Sequence, residues 1–414
     1  MKLPNLNDAL KSNNDAKLPL PALPKESKLT NYDWGEPLST ETHTSVTFQE
    51  DGWVGFTNLD MILSEGIEAG ASDVHLTPEQ GVAFTINGDI YHEEQYAIPS
   101  GDVMDDLIHA ILTNVEYSEY APTRDYDFAY EIGHGPYTGR RFRGNVGRTF
   151  GKDFLVFRII NDVIPSMQSL GVDKELQEWA ELPSGLWMIC GPTGTGKSTT
   201  LASIVRHMQL TTPKKIITIE KPIEYTYPND GKALIVQREV GIDTNSFSNG
   251  LTAAMRENPD VILIGEVRNN EEVSELLRAA ESGHLAISTM HTNAVATTIN
   301  RIQSLFDGDE RGRILSTLSD TLRGLGNQAL VKGPNGKRFA VRELLTFNQE
   351  TRKLVAAGDV AGIRDYQRKH HITMEDKLVK LVLDKKCSMK EARSKAAFPD
   401  EFDEIYKSQS WRRD

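Results

Sequence analysis

The sequence predicts an α/β protein built on a doubly wound parallel sheet that carries a phosphate-binding loop. A smaller α+β domain precedes it and a mostly helical part follows. Three observations predict this. The stretch Gly191-Pro192-Thr193-Gly194-Thr195-Gly196-Lys197-Ser198-Thr199 fits G-x-x-x-x-G-K-[ST]. From Gly185 onward, short apolar runs alternate with segments of helical spacing, as in a doubly wound sheet. Between about Phe56 and Ile160, strand-like runs and a hairpin about Asn87-Gly88 are mixed with two segments of helical spacing, the pattern of a small α+β domain. The implied boundaries are a flexible tail over 1–50, the small domain over 51–160 and a linker over 161–184. The nucleotide-binding core then takes 185–330 and the helical region 331–414.

At 414 residues the chain is long enough for two or three domains with full cores. Its 39% hydrophobic and 25% charged content is ordinary for a globular protein. No apolar run approaches the ~20 residues that span a bilayer, and no signal-peptide core is expected at the N-terminus. Cys190 and Cys387 are too few for a disulfide framework or a four-thiolate zinc site, which suits a reducing cytosol. A net charge of −13 argues against a protein that coats nucleic acid.

Taken in order, residues 1–50 carry Pro19, Pro21 and Pro24 and little to bury, so they read as a flexible arm. Leu59, Ile62, Leu63 and Ile67 share one helical face that ends at Gly70. Residues 72–76 alternate as a strand, and 81–91 read as a hairpin about Asn87-Gly88. A helix is expected around 103–112, then strands over 127–132, 140–148 and 154–160. Arg140, Arg141, Arg143 and Arg158 place guanidinium groups on adjacent strands, which spacing alone reads first as a solvated basic face. His75, beside Asp73, lacks any metal-ligand spacing and reads as structural. Pro165, Gly171 and Pro183 surround a short amphipathic segment and mark the linker, where a hinge would let the small domain move over a nucleotide.

The phosphate loop stands between an apolar strand, 186–190, and a helical stretch, 200–208. Strand, loop and helix are the context that separates this motif from an ordinary Gly-rich turn. Its glycines let successive N–H groups point inward at an anion, and the helix N-terminus adds partial positive charge there. Gly191, Pro192, Thr193, Gly194, Thr195, Gly196, Lys197, Ser198 and Thr199 are therefore the candidate nucleotide contacts. Lys197 would reach the β- and γ-phosphates of ATP, and the Ser198 hydroxyl would hold Mg²⁺.

Further strands are expected over 215–220, 233–237, 261–266 and 285–291, with helices over 247–256, 271–281 and 294–306. Past residue 312 helix predominates, with one strand over 339–347 and a charged, frayed end over 398–414. Three clusters sit at the strand ends where open α/β sheets bind ligands. The run 217–225 delivers acids that could orient and deprotonate a water, or simply a solvated strand terminus. The run 259–268 delivers Glu266, a candidate to hold Mg²⁺ directly or through its water. The run 283–291 is bracketed by His284 and His291, an odd seven positions apart, so a joint zinc site is not expected. His291 lies at the ligand edge and could sense the γ-phosphate; His284 lies at the other end, near a possible subunit contact. A lone histidine is more often structural.

Together these clusters resemble the secretion ATPases of type II and type IV systems, the PilT-like family that includes pilus-retraction motors. The resemblance runs from about residue 57 to about 395. GPTGTGKST is similar to the family's Walker A box, ITIEKPIEY to its Asp box, NPDVILIGEVR to its atypical Walker B box and GHLAISTMHT to its His box. The resemblance implies a PAS-like small domain and a RecA-like ATPase domain. It implies catalytic roles for Glu224 as general base, for Glu266, and for His284 and His291 at the His-box positions. RFRGNV and VFRII look like the segments whose arginines contact the γ-phosphate, which implicates Arg143 and Arg158. Lys221 stands where the family's usual Asp is found, and a four-cysteine zinc subdomain cannot be built. These departures, with LFDGDERGRI and FAVRELLTFNQETRKLVAAGD, look closest to the DotB/TraJ branch of type IVB secretion and conjugation. The implied protein is a cytoplasmic MgATP-hydrolysing motor, a homohexamer at the cytoplasmic face of the inner membrane, driving a secretion, conjugation or pilus apparatus. No direct nucleic-acid binding is expected. The alternatives are a nucleotide-gated scaffold that does not hydrolyse, and a DNA-translocating ring.

Overall fold

Leu59, Ile62 and Leu63 all reach 0% exposure because α1 (Gly55–Glu68) lays its apolar face on a six-stranded sheet. The computed structural model describes residues 55–86, 89–93, 101–160, 163–334 and 336–410. The expected arm over 1–50 and the Asn87-Gly88 turn lie outside them. The small-domain strands are β1 (Asp73–Thr77), β2 (Gly81–Ile86), β3 (Asp89–Glu93), β4 (Asp125–Glu131), β5 (Arg141–Thr149) and β6 (Lys152–Ile159). They stand in the order β3-β2-β1-β6-β5-β4, every neighbour antiparallel. Two helices, α2 (Gly101–Ile111) and α3 (Asn114–Thr123), complete the domain. Period-two alternation buries Phe142 and Phe157 on one face and leaves Arg143 and Arg158 on the other, directly opposite each other across β5 and β6.

The second sheet has the order β13-β12-β7-β11-β10-β8-β9. Its strands are β7 (Gly185–Cys190), β8 (Lys215–Glu220), β9 (Leu234–Glu239), β10 (Val261–Ile264), β11 (Leu285–Met290), β12 (Leu322–Lys332) and β13 (Arg338–Thr346). All neighbours are parallel except the edge strand β13, so the expected wound parallel sheet is present. Both faces are covered, which is why these strands read as unbroken apolar runs. Leu186, Met188, Ile262, Ile264 and Ala286 join one core, and Trp187, Ile189, Val261, Leu263 and Ile287 join the core on the opposite face.

Three features depart from expectation. First, β12 is a strand where helix was expected, and it pairs in a hairpin with β13, the strand expected over 339–347, so the sheet continues past residue 330. Gly324, Gly326, Asn327 and Gln328 interrupt its apolar pattern, yet Asn327 and Gln328 are 2% and 1% exposed. Second, the segment expected as linker holds α4 (Lys174–Ala180), whose Leu176 and Trp179 are buried in the core of the second domain. Trp179 seats there because Gly324 leaves room, an added Cβ coming within 2.4 Å of its ring, and its indole N–H donates to Thr346 Oγ1 at 3.0 Å. Third, the end expected to fray forms α14 (Pro399–Ser410), anchored by Phe402 at 0% exposure. The second domain also holds α5 (Lys197–Thr211), α6 (Phe247–Ala254), α7 (Asn270–Glu281), α8 (Val295–Ser304) and α9 (Gly308–Thr321), and α10 (Gln349–Ala356), α11 (Val360–Lys369), α12 (Met374–Leu383) and α13 (Met389–Lys395) make the C-terminal part helical.

Candidate active site

The phosphate loop follows β7 and opens α5 (Lys197–Thr211), whose N-cap Gly196 adopts φ +78° and makes no side-chain capping bond. Uncapped N–H groups at a helix start are a ready site for an anion. Gly191 is dictated by close approach: a Cβ there would lie 2.5 Å from the Gln328 carbonyl oxygen. Lys197 is 8% exposed, and its ammonium donates to the carbonyls of Gly191 at 2.7 Å and Pro192 at 3.0 Å. Burial lowers its pKa, against the opposing pull of the nearby Glu224 carboxylate. Thr195 Oγ1 closes the loop on the Pro192 carbonyl at 2.8 Å.

A cavity of about 600 Å³ opens in front of this loop. Its wall joins Ser198 and Thr199 to residues from the ends of three other strands and to two from the small domain. At the end of β8, Glu220 accepts from Thr218 Oγ1 at 2.7 Å and from Gln237 Nε2 at 3.4 Å. Burial pushes its carboxyl up to about 7, an effect the neighbouring Glu224 reinforces. Glu224 itself is exposed to the cavity. After β10, the turn carrying Glu266 is pinned by Gly265 N–H on the Ile219 carbonyl (2.8 Å) and by Thr289 Oγ1 on the Gly265 carbonyl (2.6 Å). Glu266 is only 14% exposed and lies between two bases: Arg268 pairs with Oε1, and His291 Nε2 stands 3.0 Å from Oε2. Burial, then the charges of Lys197 and Arg268, hold the His291 pKa below its ordinary value. The ring is therefore neutral near pH 7, with an N–H to donate to Glu266.

Arg143 and Arg158 reach the cavity from the small domain. Each is held by an acid of its own sheet, Arg143 by Asp127 at 2.6 Å and Arg158 by Asp73 at 2.8 Å. Six basic side chains line the space, Arg143, Arg158, Lys197, Lys221, Arg268 and Arg338, against three acids, Glu220, Glu224 and Glu266. An acidic chain thus presents a cavity biased toward anions. The hard oxygens of Ser198, Glu266 and Glu224 in the same space suit Mg²⁺, which keeps several waters and leans on substrate phosphates.

Of the sequence candidates, the loop residues Thr193 to Thr199, Glu224, Glu266, His291, Arg143 and Arg158 line this one cavity. Gly191 and Pro192 support it from behind through the Lys197 contacts. His284 does not join them: it precedes β11 at the far end, where Nδ1 meets Ser282 Oγ at 2.9 Å and the Ala279 carbonyl at 3.1 Å. His75 bonds Thr85 Oγ1 at 2.8 Å within its own sheet. Gln328 and Arg342 lie buried behind the loop with no motif to mark them; their only trace in the sequence is a polar residue inside each of the runs 322–331 and 339–347.

The family model of type II/IV secretion system proteins matches residues 50–337. The chain is 33% identical over 345 residues to the type IV pilus retraction ATPase PilT of Pseudomonas aeruginosa, spanning 82% of this chain and 98% of that one. It is 35% identical over 302 residues to a twitching motility protein of Neisseria gonorrhoeae, spanning 72% and 79%. Among solved structures it is similar to the pilus retraction motor PilT with bound ADP (TM-score 0.77, 34% identity, 83% and 98% covered). It is also similar to the Legionella pneumophila ATPase DotB (TM-score 0.71, 27% identity, 84% and 97% covered).

Proposed function

The chain belongs to the type II/IV secretion system family of ATPases, and from that premise we propose a homohexameric motor that hydrolyses MgATP at the cytoplasmic face of the inner membrane. The observation that carries the reading is the single cavity shared by the phosphate loop, Glu224, Glu266 and His291 of one domain and Arg143 and Arg158 of another.

In this reading the loop N–H groups and Lys197 cradle the phosphates. Ser198 and Glu266 serve the metal, which would neutralise charge developing on the transferred phosphoryl group. Glu224 orients and deprotonates the attacking water, with the cavity open around its carboxylate to admit it. Neutral His291 donates to Glu266 and fixes its orientation beside the γ-phosphate position. Arg143 and Arg158 leave Asp127 and Asp73 to clamp the phosphates when the small domain closes, so ATP binding becomes displacement. His284, remote from the cavity, acts at a contact between subunits. Lys221 and the segments LFDGDERGRI and FAVRELLTFNQETRKLVAAGD favour the DotB/TraJ branch of type IVB secretion and conjugation; DotB is similar along most of both chains at 27% identity, and PilT at 34%.

ATP turnover of Glu224→Gln and Lys197→Ala tests the site: loss in both is expected, and parent-level turnover in both refutes it. Light scattering in MgATP tests the ring, which a persistent monomer refutes.

A further inference from the structure

The hairpin of β12 and β13 crosses behind the phosphate loop and carries two cross-strand polar pairs, Gln328 with Arg342 and Asn327 with Glu343. All four residues are at most 3% exposed. The first pair faces the loop. Gln328 Nε2 donates to the Thr195 carbonyl at 2.7 Å, while its Oε1 accepts from Thr200 Oγ1 at 3.0 Å and from Arg342 Nε at 2.7 Å. Arg342 also donates to Thr200 Oγ1 at 3.3 Å. Its other terminal nitrogen reaches away from the loop, to the Gly171 carbonyl at 3.1 Å and Asp173 Oδ2 at 2.9 Å. Asp173 is the N-cap of α4, yet its carboxylate makes no capping bond and serves Arg342 instead. Gly171 and Asp173 belong to the segment that leads from the small domain to the sheet.

One buried bridge therefore runs from the loop backbone, through two side chains, to the connecting segment. A bridge of this kind is a poor way to gain stability, because buried ionic groups are often replaced by apolar ones at no cost. What it gives is shape: each bond is directional and every partner is taken. We propose that Gln328 and Arg342 are positioning residues that hold the phosphate loop in its binding form and link nucleotide seating to the placement of residues 171–173. Because coupling between sites is reciprocal, nucleotide that tightens the loop also tightens the connecting segment. This rests on the reading that the phosphate loop holds the nucleotide.

The test uses the full chain, the fluorescent probe mant-ADP with Mg²⁺, and steady-state ATP turnover. Gln328→Glu keeps an oxygen for Thr200 and Arg342 but turns an acceptor toward the Thr195 carbonyl. The Kd for mant-ADP and the KM for ATP are expected to rise about tenfold or more, the size of one lost loop bond. The change in kcat is expected to stay within about threefold, the mark of ground-state seating rather than chemistry. Asp173→Asn keeps an oxygen for Arg342 at the partly exposed end, and a thermal melt checks that it folds. In it, ADP is expected to lose most of the hydrogen-exchange protection it gives to residues 166–180 in the parent. Parent affinity in Gln328→Glu, or equal protection in Asp173→Asn and the parent, overturns the proposal. Lys197→Ala is the control: it should lose mant-ADP, and if it binds at parent affinity the underlying reading of the loop fails instead.

Discussion

Glu220→Gln isolates one buried carboxyl whose ionisation opposes folding. Glu220 stands in the cavity wall with its pKa pushed from 4.5 up to about 7, chiefly by burial. An acid shifted upward favours the folded state while it is protonated. That contribution is full below about 4.5 and is lost as pH rises through about 7. A shift of this size is worth about 3 kcal/mol at most, and screening by cavity water reduces it to about 1–3 kcal/mol. Glutamine is uncharged throughout and keeps an Oε1 for Thr218 and Gln237, both of which donate to the same oxygen of Glu220. The variant and the parent should therefore melt together near pH 4. Near pH 8 the variant should melt several degrees higher, at roughly 2–4 °C per kcal/mol. Thermal melts of nucleotide-free protein across that range make the comparison. A gap between the two proteins that does not change with pH would refute the reasoning.

Arg143→Ala and Arg158→Ala should each lower ATP turnover by about 10³, the low end for charge clamps in phosphoryl transfer, with a much smaller change in ADP affinity. Steady-state kinetics beside mant-ADP titration separates the two effects. Chelating divalent cations should abolish turnover and added Mg²⁺ restore it, as a phosphate-bound metal requires. Gly324→Ala drives a methyl within 2.4 Å of the Trp179 ring, and urea denaturation should show a loss of about 1–3 kcal/mol. Phe402→Ala empties a fully buried site in the C-terminal core, and the same assay should show about 3–5 kcal/mol.

What the sequence made legible follows how local each feature is. The phosphate loop, the Glu266 strand and the His291 strand announce themselves because one short run carries both the apolar strand and the chemistry at its end. The six parallel strands were readable for the same reason, except β12. There, Asn327 and Gln328 look like loop residues, and only partners far along the chain make them strand: Thr292 and Thr195 accept from them at 3.0 and 2.7 Å. Likewise α4 looks like linker because its Trp179 finds its place against Gly324 and Thr346, and α14 looks frayed because the partners of Glu401 are Arg364 and Arg368. Burial decided by distant residues leaves no periodic trace. The arginines show the intermediate case, since strand alternation predicts their shared face but not that the face looks onto a cavity.

Because α4 and its approach are packed into the second domain, the joint between domains is short. β6 ends at Ile159, and Met167 is already 8% exposed in the core beneath the sheet. Eight residues of fully extended chain reach about 27 Å. A leash of that length confines the small domain to a narrow sphere around its own loop and keeps the local concentration of Arg143 and Arg158 there near the millimolar range. Any partner that recruits these arginines elsewhere must compete against that tethered supply.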